Sequence, residues 1–196
     1  MKVNQKNNRF IKKLATISIV LAVLNLILDM GLGANFLSDI FDFLTGVSIA
    51  VFLTYIISVL QFANEDISIQ TPFSIFLGLQ VITLLSNILP IIGLKPIDLF
   101  PASGVLTIIL TCYMMLMCFK IKNIKFSRPF KIWGILLVTL IILKLLILFL
   151  FPIIALNLSL PALSTIVYLS AILNIINKTG EILDIELPAV NSVQQV

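Results

Sequence analysis

The sequence predicts an all-α, polytopic membrane protein: a bundle of six transmembrane helices with both termini in the cytoplasm. Of its 196 residues, 60% are hydrophobic and only 11% are charged, whereas soluble domains carry about 25% charged residues. Six apolar stretches approach the length of about twenty residues that a bilayer requires. The basic residues gather at three places along the chain, a distribution typical of the cytoplasmic side of a membrane protein.

The six predicted spans are separated by the polar and proline residues expected at helix ends. Acidic residues and Pro72 separate the second span from the third, and Lys95-Pro96 with Pro101 separate the third from the fourth. A basic stretch follows the fourth span, and Pro152 follows the fifth. The predicted spans are residues 14–33, 44–63, 73–94, 102–119, 132–151 and 155–177.

Two boundaries between spans are less sharply marked. Residues 35–44 place apolar and polar side chains at a helical period, which predicts a short interfacial helix on the outer surface. Only Phe151-Pro152 and the stretch from Asn157 to Pro161 separate the fifth span from the sixth. A single kinked element or a re-entrant turn is the alternative to two full spans there.

The basic residues orient the predicted bundle. Five precede the first span, five lie between the fourth and fifth, and Lys178 follows the sixth, so eleven of thirteen fall on one side. The positive-inside rule assigns this side to the cytoplasm of a multi-pass protein of the cell membrane. We expect a basic N-terminus (residues 1–13), a transmembrane domain (residues 14–177) and an acidic cytoplasmic tail (residues 178–196) that is exposed or disordered.

Two charged residues lie inside the predicted spans. A Lys near the bilayer centre costs about 2.5–3.5 kcal/mol, so Lys144 in the fifth span needs a compensating contact. Lys144 could extend to the outer headgroups, where its ammonium would be solvated. The other interpretation is an ion pair with Asp29, which lies at a similar depth in the first span.

Polar residues recur at helical spacing on several spans. Asn25 and Asp29 share one face of the first span, and Gln80, Thr83 and Asn87 share one face of the third. Comparable stripes occur on the second and fourth spans, at Thr54, Ser58 and Gln61 and at Ser103, Thr107 and Thr111. Together they predict a ligand-binding interior formed by Lys144, Asp29, Asn25, Asn87, Gln80 and Thr83. The alternative is that the stripes form interhelical hydrogen bonds and packing seams.

The stretch between the fourth and fifth spans, residues 120–131, mixes cations with apolar side chains. Each basic residue near an anionic leaflet contributes about 1 kcal/mol, which predicts an anchor on the inner membrane surface. A docking site for a cytoplasmic partner, or for the acidic tail, is the alternative. The predicted anchor residues are Lys120, Lys122, Lys125, Arg128 and Lys131.

Several chemistries lack the residues they need. The chain has no His, and Cys112 and Cys118 point to different sides of one predicted helix, so we expect no zinc or transition-metal site and no disulfide between them. Histidine-dependent catalytic triads and a Gly-rich phosphate loop are absent from the sequence. We therefore expect no enzyme activity and no cofactor, and the few basic residues do not favour nucleic-acid binding.

These features predict a membrane protein that binds or transports a small polar or anionic solute, as one subunit of a larger transporter. Its partners would be the lipid bilayer, other membrane subunits and the solute. Six spans in 196 residues resemble in size the substrate-binding subunits of energy-coupling vitamin transporters, a resemblance of architecture without a shared motif. The alternative is a non-transporting regulatory, immunity or assembly subunit.

Overall fold

Six helices form nearly all of the chain that the computed structural model describes, which comprises residues 1–32, 36–91, 100–150 and 160–193. Each predicted span lies largely within one of these helices, so the prediction of an all-α fold is confirmed. The helices are α1 (Gln5–Leu32), α2 (Phe36–Phe62), α3 (Ile67–Ile91), α4 (Phe100–Lys120), α5 (Ile124–Leu150) and α6 (Leu160–Val193).

Five of the helices are long and apolar enough to cross a membrane, namely α1, α2, α3, α5 and α6. The described apolar section of α4, Leu106–Lys120, is shorter. Large aliphatic side chains such as Ile17, Ile109 and Ile142 are more than half exposed along the outside of the bundle. An apolar exterior on apolar helices is what a lipid-facing surface requires, so the fold is that of a membrane-embedded protein.

The helices pack in a ring. Each contacts its neighbours in the chain, and α6 returns to contact α1 as well as α5. Helices α1 and α6 approach each other closely near their polar ends. Gly180 permits this approach, since a Cβ atom there would lie only 2.7 Å from Nδ2 of Asn8. Gln5 Nε2 also donates a hydrogen bond of 2.7 Å to Oδ1 of Asp184.

One end of the ring holds the N-terminus, residues 63–66, residues 121–123 and the last turns of α6; we call it the basic end. The α2–α3 connection there begins with Asn64, whose φ of 55° is left-handed. The N–H of Asn64 donates to the carbonyl of Gln61 and that of Glu65 to the carbonyl of Leu60, both at 3.0 Å. This pair of bonds is a Schellman motif, which ends α2 and directs the chain towards α3.

Side chains cap the helices that start at the basic end. Oδ1 of Asn4 accepts a hydrogen bond of 2.8 Å from the N–H of Asn7 in the first turn of α1. Oδ1 of Asn123 likewise accepts one of 3.0 Å from the N–H of Lys125 at the start of α5. Asparagine satisfies the first N–H groups of a helix in this way, which explains why both helices begin where they do.

Two expectations about helix ends are wrong. Residues 36–44 are the first turns of α2 rather than a separate interfacial helix, because no Gly or Pro interrupts the helical period before Thr45. The stretch 120–131 is mostly helical, since α5 begins at Ile124, directly after the cap. The weakly marked boundary at residues 151–159 lies outside the described residues.

The segment after residue 177 is also not a disordered tail, because α6 continues to Val193, although Glu181 and Asp184 on it are exposed. Thr179, Ile182 and Leu183 are buried, and Ile175 and Ile176 begin the same buried face one turn earlier. This spacing of three and four residues keeps an apolar stripe against α1 even though polar residues lie between. The polar composition of the segment concealed that stripe.

Candidate functional site

A central cavity of about 290 Å³ lies inside the ring, between α2, α3, α4, α5 and α6. Ile49 is the middle residue of α2, Gln80 is next to the middle of α3, and the contribution of α4 spans its middle. The cavity is therefore at mid-depth in the bundle. Its lining residues are Ile49, Phe76, Gln80, Thr107, Ile108, Thr111, Met114, Leu137, Leu140, Ile141, Ser164, Thr165 and Tyr168.

The cavity lining is largely apolar, with polar side chains from three helices. The half-buried side chain of Gln80 has no hydrogen-bond partner among the described residues. The hydroxyl of Thr111 donates to the carbonyl of Thr107 in its own helix, at 2.7 Å. Ser164 and Thr165 add two more hydroxyl groups from α6. An amide and several hydroxyls in an apolar pocket can orient a small molecule through a few hydrogen bonds.

An aromatic wall packs against the end of the cavity nearest the basic end, and within it Tyr168 lines the cavity directly. The ring of Tyr168 packs edge-on against that of Trp133, with centroids 5.5 Å apart and planes at 65°. Trp133 in turn contacts Phe73 at 5.6 Å and Phe130 at 6.1 Å. Phe73, Phe130 and Trp133 are fully buried, so these rings pack densely between α3, α5 and α6. Edge-on and tilted pairs of this kind rigidify a core.

Two buried polar atoms in this aromatic wall have no hydrogen-bond partner among the described residues. They are the hydroxyl oxygen of Tyr168 and Nε1 of Trp133. Leaving a buried donor without a partner costs about 1–3 kcal/mol, so most proteins avoid it away from functional sites. Both atoms are fully buried, so they are unsatisfied polar groups within the packing behind the cavity rather than groups that face an occupant.

The structure separates the residues that the sequence grouped into one ligand site. Gln80 lines the central cavity, whereas the hydroxyl of Thr83 donates to the carbonyl of Leu79 in its own helix at 3.0 Å. Asn25 is not among the cavity-lining residues; its Nδ2 donates to Oδ1 of Asp42 on α2, at 2.7 Å. The side chains of Asp29, Asn87 and Lys144 lie outside the described residues, so their predicted pairing and ligand role stay predictions.

The predicted anchor residues are all exposed at the basic end. Lys122 also pairs with Asp66, at 2.6 Å between Nζ and Oδ2, which joins the two connections at this end. The hydrogen bond to Asp66, together with its negative charge, raises the pKa of Lys122 above its ordinary value. The exposed anchor side chains are those of Lys120, Lys122, Lys125, Arg128 and Lys131.

Beneath this exposed pair, a buried carboxylate holds the same two connections together. Oε1 of Glu65 accepts a hydrogen bond of 2.7 Å from the N–H of Asn123, and Oε2 accepts one of 3.2 Å from the N–H of Lys122. Nδ2 of Asn123 donates back to the carbonyl of Ala63 at 3.3 Å. Only 6% of Glu65 is exposed, so these bonds form largely away from water. We call this arrangement the Glu65 clamp.

Sequence reasoning missed several of the residues that matter at the cavity. Ser164 and Tyr168 are four residues apart on α6, a spacing that places them on one helix face. That signal was present, but aromatic and hydroxyl residues are also common on lipid-facing and packing surfaces. Trp133, the single tryptophan of the chain, has no spacing signal that links it to Tyr168.

No protein-family model, curated protein or solved structure matches this chain. Within the described ranges, no group of three or more His, Cys, Asp or Glu side chains could hold a metal ion. Cys112 and Cys118 are both free thiols, as their spacing on one helix predicts. The central cavity and its polar groups are therefore the features of the molecule that bear on function.

Proposed function

We propose that this chain is a six-span protein of the cell membrane that binds a small, partly polar solute in its central cavity, as a subunit of a larger transporter. The observation that supports this most is the amide of Gln80, which lines an apolar cavity at mid-depth and has no hydrogen-bond partner in the described part of the chain. A polar side chain at this depth is costly unless another helix, water or a ligand satisfies it.

The dimensions of the cavity agree with a small solute. Its volume of about 290 Å³ is close to the lower limit of ligand pockets, which range from about 300 to 1,000 Å³. The described lining carries no charged side chain. These features support a solute that is mainly uncharged and presents one or two hydrogen-bonding groups.

An anionic solute remains the alternative within the same proposal, and it depends on Lys144. Lys144 follows Leu140 by four residues and Ile141 by three in α5, and both of these residues line the cavity. Positions at this spacing share one helix face. A cation there would favour a carboxylate or phosphate group over a neutral one.

The six-span topology with cytoplasmic termini is part of the proposal. The bond between Gln5 and Asp184 and the pair between Lys122 and Asp66 support it, because both termini and both inner connections would lie at one end. Eleven of the thirteen basic residues belong to the segments at that end. Reporter fusions near Glu65 and after Val193 should both give a cytoplasmic signal; an external signal from either would contradict the topology.

Trp133 offers a direct test of solute binding. It is the only tryptophan, and its ring contacts Tyr168 in the cavity wall, so its fluorescence should report on an occupant. We would titrate the chain in nanodiscs with small neutral amides and alcohols and with short-chain carboxylates. A saturable change is expected for one class, and Gln80→Leu should weaken it about tenfold by removing one hydrogen-bonding group. No saturable change from either class would contradict the proposal.

Two variants sharpen that titration. Thr139→Val is the matched control, because Thr139 is exposed on the same helix as the lining residues Leu137, Leu140 and Ile141 but does not line the cavity, and it bonds to Ile135 of its own helix. It should leave the titration unchanged. Lys144→Met should abolish a response to carboxylates and leave a response to neutral solutes, which would distinguish the two forms of the proposal.

The second candidate is a non-transporting regulatory, immunity or assembly subunit. The observation that favours it is that the hydroxyls of Thr54, Ser58 and Thr83 each donate to a carbonyl of their own helix. Polar stripes satisfied in this way need no solute. Under this alternative, Lys144→Met and Gln80→Leu would raise stability without any loss of function.

A further inference from the structure

A second cavity, of about 420 Å³, lies between α1 and α6 at the basic end; we call it the α1–α6 groove. Gly180 follows Tyr168 of the central cavity by twelve residues, which is about 18 Å further along the helix at about 1.5 Å per residue. The hydrocarbon core extends about 15 Å from the bilayer centre. With the central cavity at the bilayer centre, as in the topology proposed above, the groove lies at the depth of the lipid headgroups.

The two walls of the groove carry opposite charges. On α1, Arg9 and Lys12 are three residues apart and exposed, and neither has a hydrogen-bond or ion-pair partner among the described residues. On α6, Glu181 and Asp184 are also three residues apart and line the opposite wall. A site with cations on one wall and carboxylates on the other matches a ligand that carries both charges.

The two carboxylates of the groove are engaged but not neutralised by Arg9 or Lys12. Oε2 of Glu181 pairs with Nζ of Lys178 at 2.7 Å, and Oδ1 of Asp184 accepts from Gln5 at 2.7 Å. A carboxylate can accept several hydrogen bonds, so each retains capacity for a further donor.

The floor of the groove is amide-rich and includes an unsatisfied acceptor. Oδ1 of Asn177 is buried and has no hydrogen-bond partner among the described residues. Asn8 is held in place because its Oδ1 accepts a bond of 2.6 Å from the hydroxyl of Tyr55. Gly180 leaves room for Nδ2 of Asn8, since a Cβ atom would lie only 2.7 Å from it. The floor thus combines a positioned amide with an acceptor that needs a donor.

We propose that the α1–α6 groove binds the headgroup of a zwitterionic phospholipid with a primary ammonium group, of the phosphatidylethanolamine type. Arg9 and Lys12 bind the phosphate, and the exposed carboxylates of Glu181 and Asp184 accept hydrogen bonds from the ammonium. A quaternary ammonium has no N–H to donate, so phosphatidylcholine fits less well. This site is independent of the solute in the central cavity.

The test measures lipid binding to the purified full-length chain by native mass spectrometry and by calorimetry with short-chain lipids. We expect phosphatidylethanolamine to bind at least fivefold more tightly than phosphatidylcholine or phosphatidylglycerol. Arg9→Gln with Lys12→Gln should weaken its binding about tenfold, because charge-assisted hydrogen bonds to phosphate are lost. Lys13→Gln is the matched control, since Lys13 is an exposed cation of α1 that does not line the groove, and it should leave the binding unchanged.

Glu181→Gln and Asp184→Asn test the acidic wall separately. They should remove the preference for phosphatidylethanolamine over phosphatidylglycerol. The thermal unfolding temperature of these variants should stay within a few degrees of that of the unmodified chain. Equal binding of phosphatidylglycerol by the unmodified chain would overturn the proposal in favour of an anionic-lipid patch. If free phosphoethanolamine bound as tightly as phosphatidylethanolamine, the groove would recognise a soluble headgroup and the proposal of a lipid ligand would be overturned. Absence of any lipid preference, with unfolding temperatures lowered by the charge variants, would mean that the groove charges only hold α1 and α6 together.

Discussion

The middle of the bundle and its basic end satisfy their polar groups in different ways. At the basic end, polar side chains connect different helices or connections: Tyr55 bonds to Asn8, and Glu65 bonds to Asn123. In the middle, the hydroxyls of Thr83 and Thr111 bond to carbonyls of their own helices. The described hydrogen bonds that join different helices or connections therefore lie mainly at the basic end, and the bond of Asn25 to Asp42 joins α1 and α2 elsewhere.

This difference bears on how the polar stripes of the sequence should be interpreted. A hydroxyl that donates to the carbonyl four residues earlier is satisfied without a neighbouring helix. The hydroxyl groups of these stripe residues are therefore satisfied within their own helices and do not need an interhelical hydrogen bond. Gln80, which lines the cavity and has no described partner, then stands out as the polar group available to something other than protein.

The largest expected effect on stability is at the Glu65 clamp. Glu65→Ala removes a buried carboxylate that accepts two backbone hydrogen bonds, and should lower the free energy of unfolding by about 1.5–3 kcal/mol. Denaturant titration in detergent micelles measures it. Glu65→Gln retains one acceptor oxygen and should cost less. Equal stability of Glu65→Ala and the unmodified chain would show that the clamp does not hold the connections.

A matched pair of tyrosines tests the comparison itself. Tyr55→Phe removes a buried hydrogen bond to Asn8 and should cost about 1–2 kcal/mol of unfolding free energy. Tyr168→Phe removes a hydroxyl that has no described partner, so it should change that free energy by less than about 0.5 kcal/mol. Thermal unfolding of both variants gives the values. If Tyr168→Phe costs as much as Tyr55→Phe, the two regions do not differ as described.

Thr111→Val should have a smaller effect on stability than Tyr55→Phe. Its hydroxyl bonds only to Thr107 of its own helix, and valine has nearly the same shape, so we expect a change below about 0.5 kcal/mol. The same variant should nevertheless weaken solute binding in the Trp133 titration, because Thr111 lines the cavity. If Thr111→Val lowered the stability and left solute binding unchanged, Thr111 would serve helix packing rather than solute binding, which would contradict this prediction.

The smallest effect is expected at the exposed pair of Lys122 and Asp66. The bond raises the pKa of Lys122, so its contribution is present at pH values below the ordinary pKa of lysine, about 10.4, and disappears as pH rises through the raised value. Added salt should also remove it, because both side chains are exposed. Unfolding of Asp66→Asn compared with the unmodified chain at pH 8 and at pH 11, with and without salt, checks this; a difference that grows at pH 11 would contradict it.

Much of the helical architecture could be predicted from the sequence because burial in lipid requires long apolar stretches. The end of α6 could not, since Asn177, Lys178 and Glu181 conceal the buried stripe formed by Thr179 and Leu183. The end of α2 and the start of α5 depend on Asn64 and Asn123, whose polar character signals a break but not its geometry.

The candidate site was predictable only in part. Gln80 and Thr111 could be recognised as members of polar stripes, because helical spacing is a local property of one helix, and both line the cavity. Tyr168 and Trp133 did not, since their contact depends on how α5 and α6 pack. Asn25 shares a face with other polar residues in the sequence, yet it bonds to Asp42 because α2 extends further than its apolar stretch indicates.

The central claim is that the middle of the bundle contains a cavity that polar solutes can enter. The most direct test is the reaction of single cysteines with a charged, membrane-impermeant methanethiosulfonate, in a background with Cys112→Ala and Cys118→Ala. Cysteine introduced at Thr111, which lines the cavity, should react at least tenfold faster than cysteine at Thr139, which is exposed outside the cavity lining. Equal and slow reaction at both positions would contradict a solute-accessible cavity.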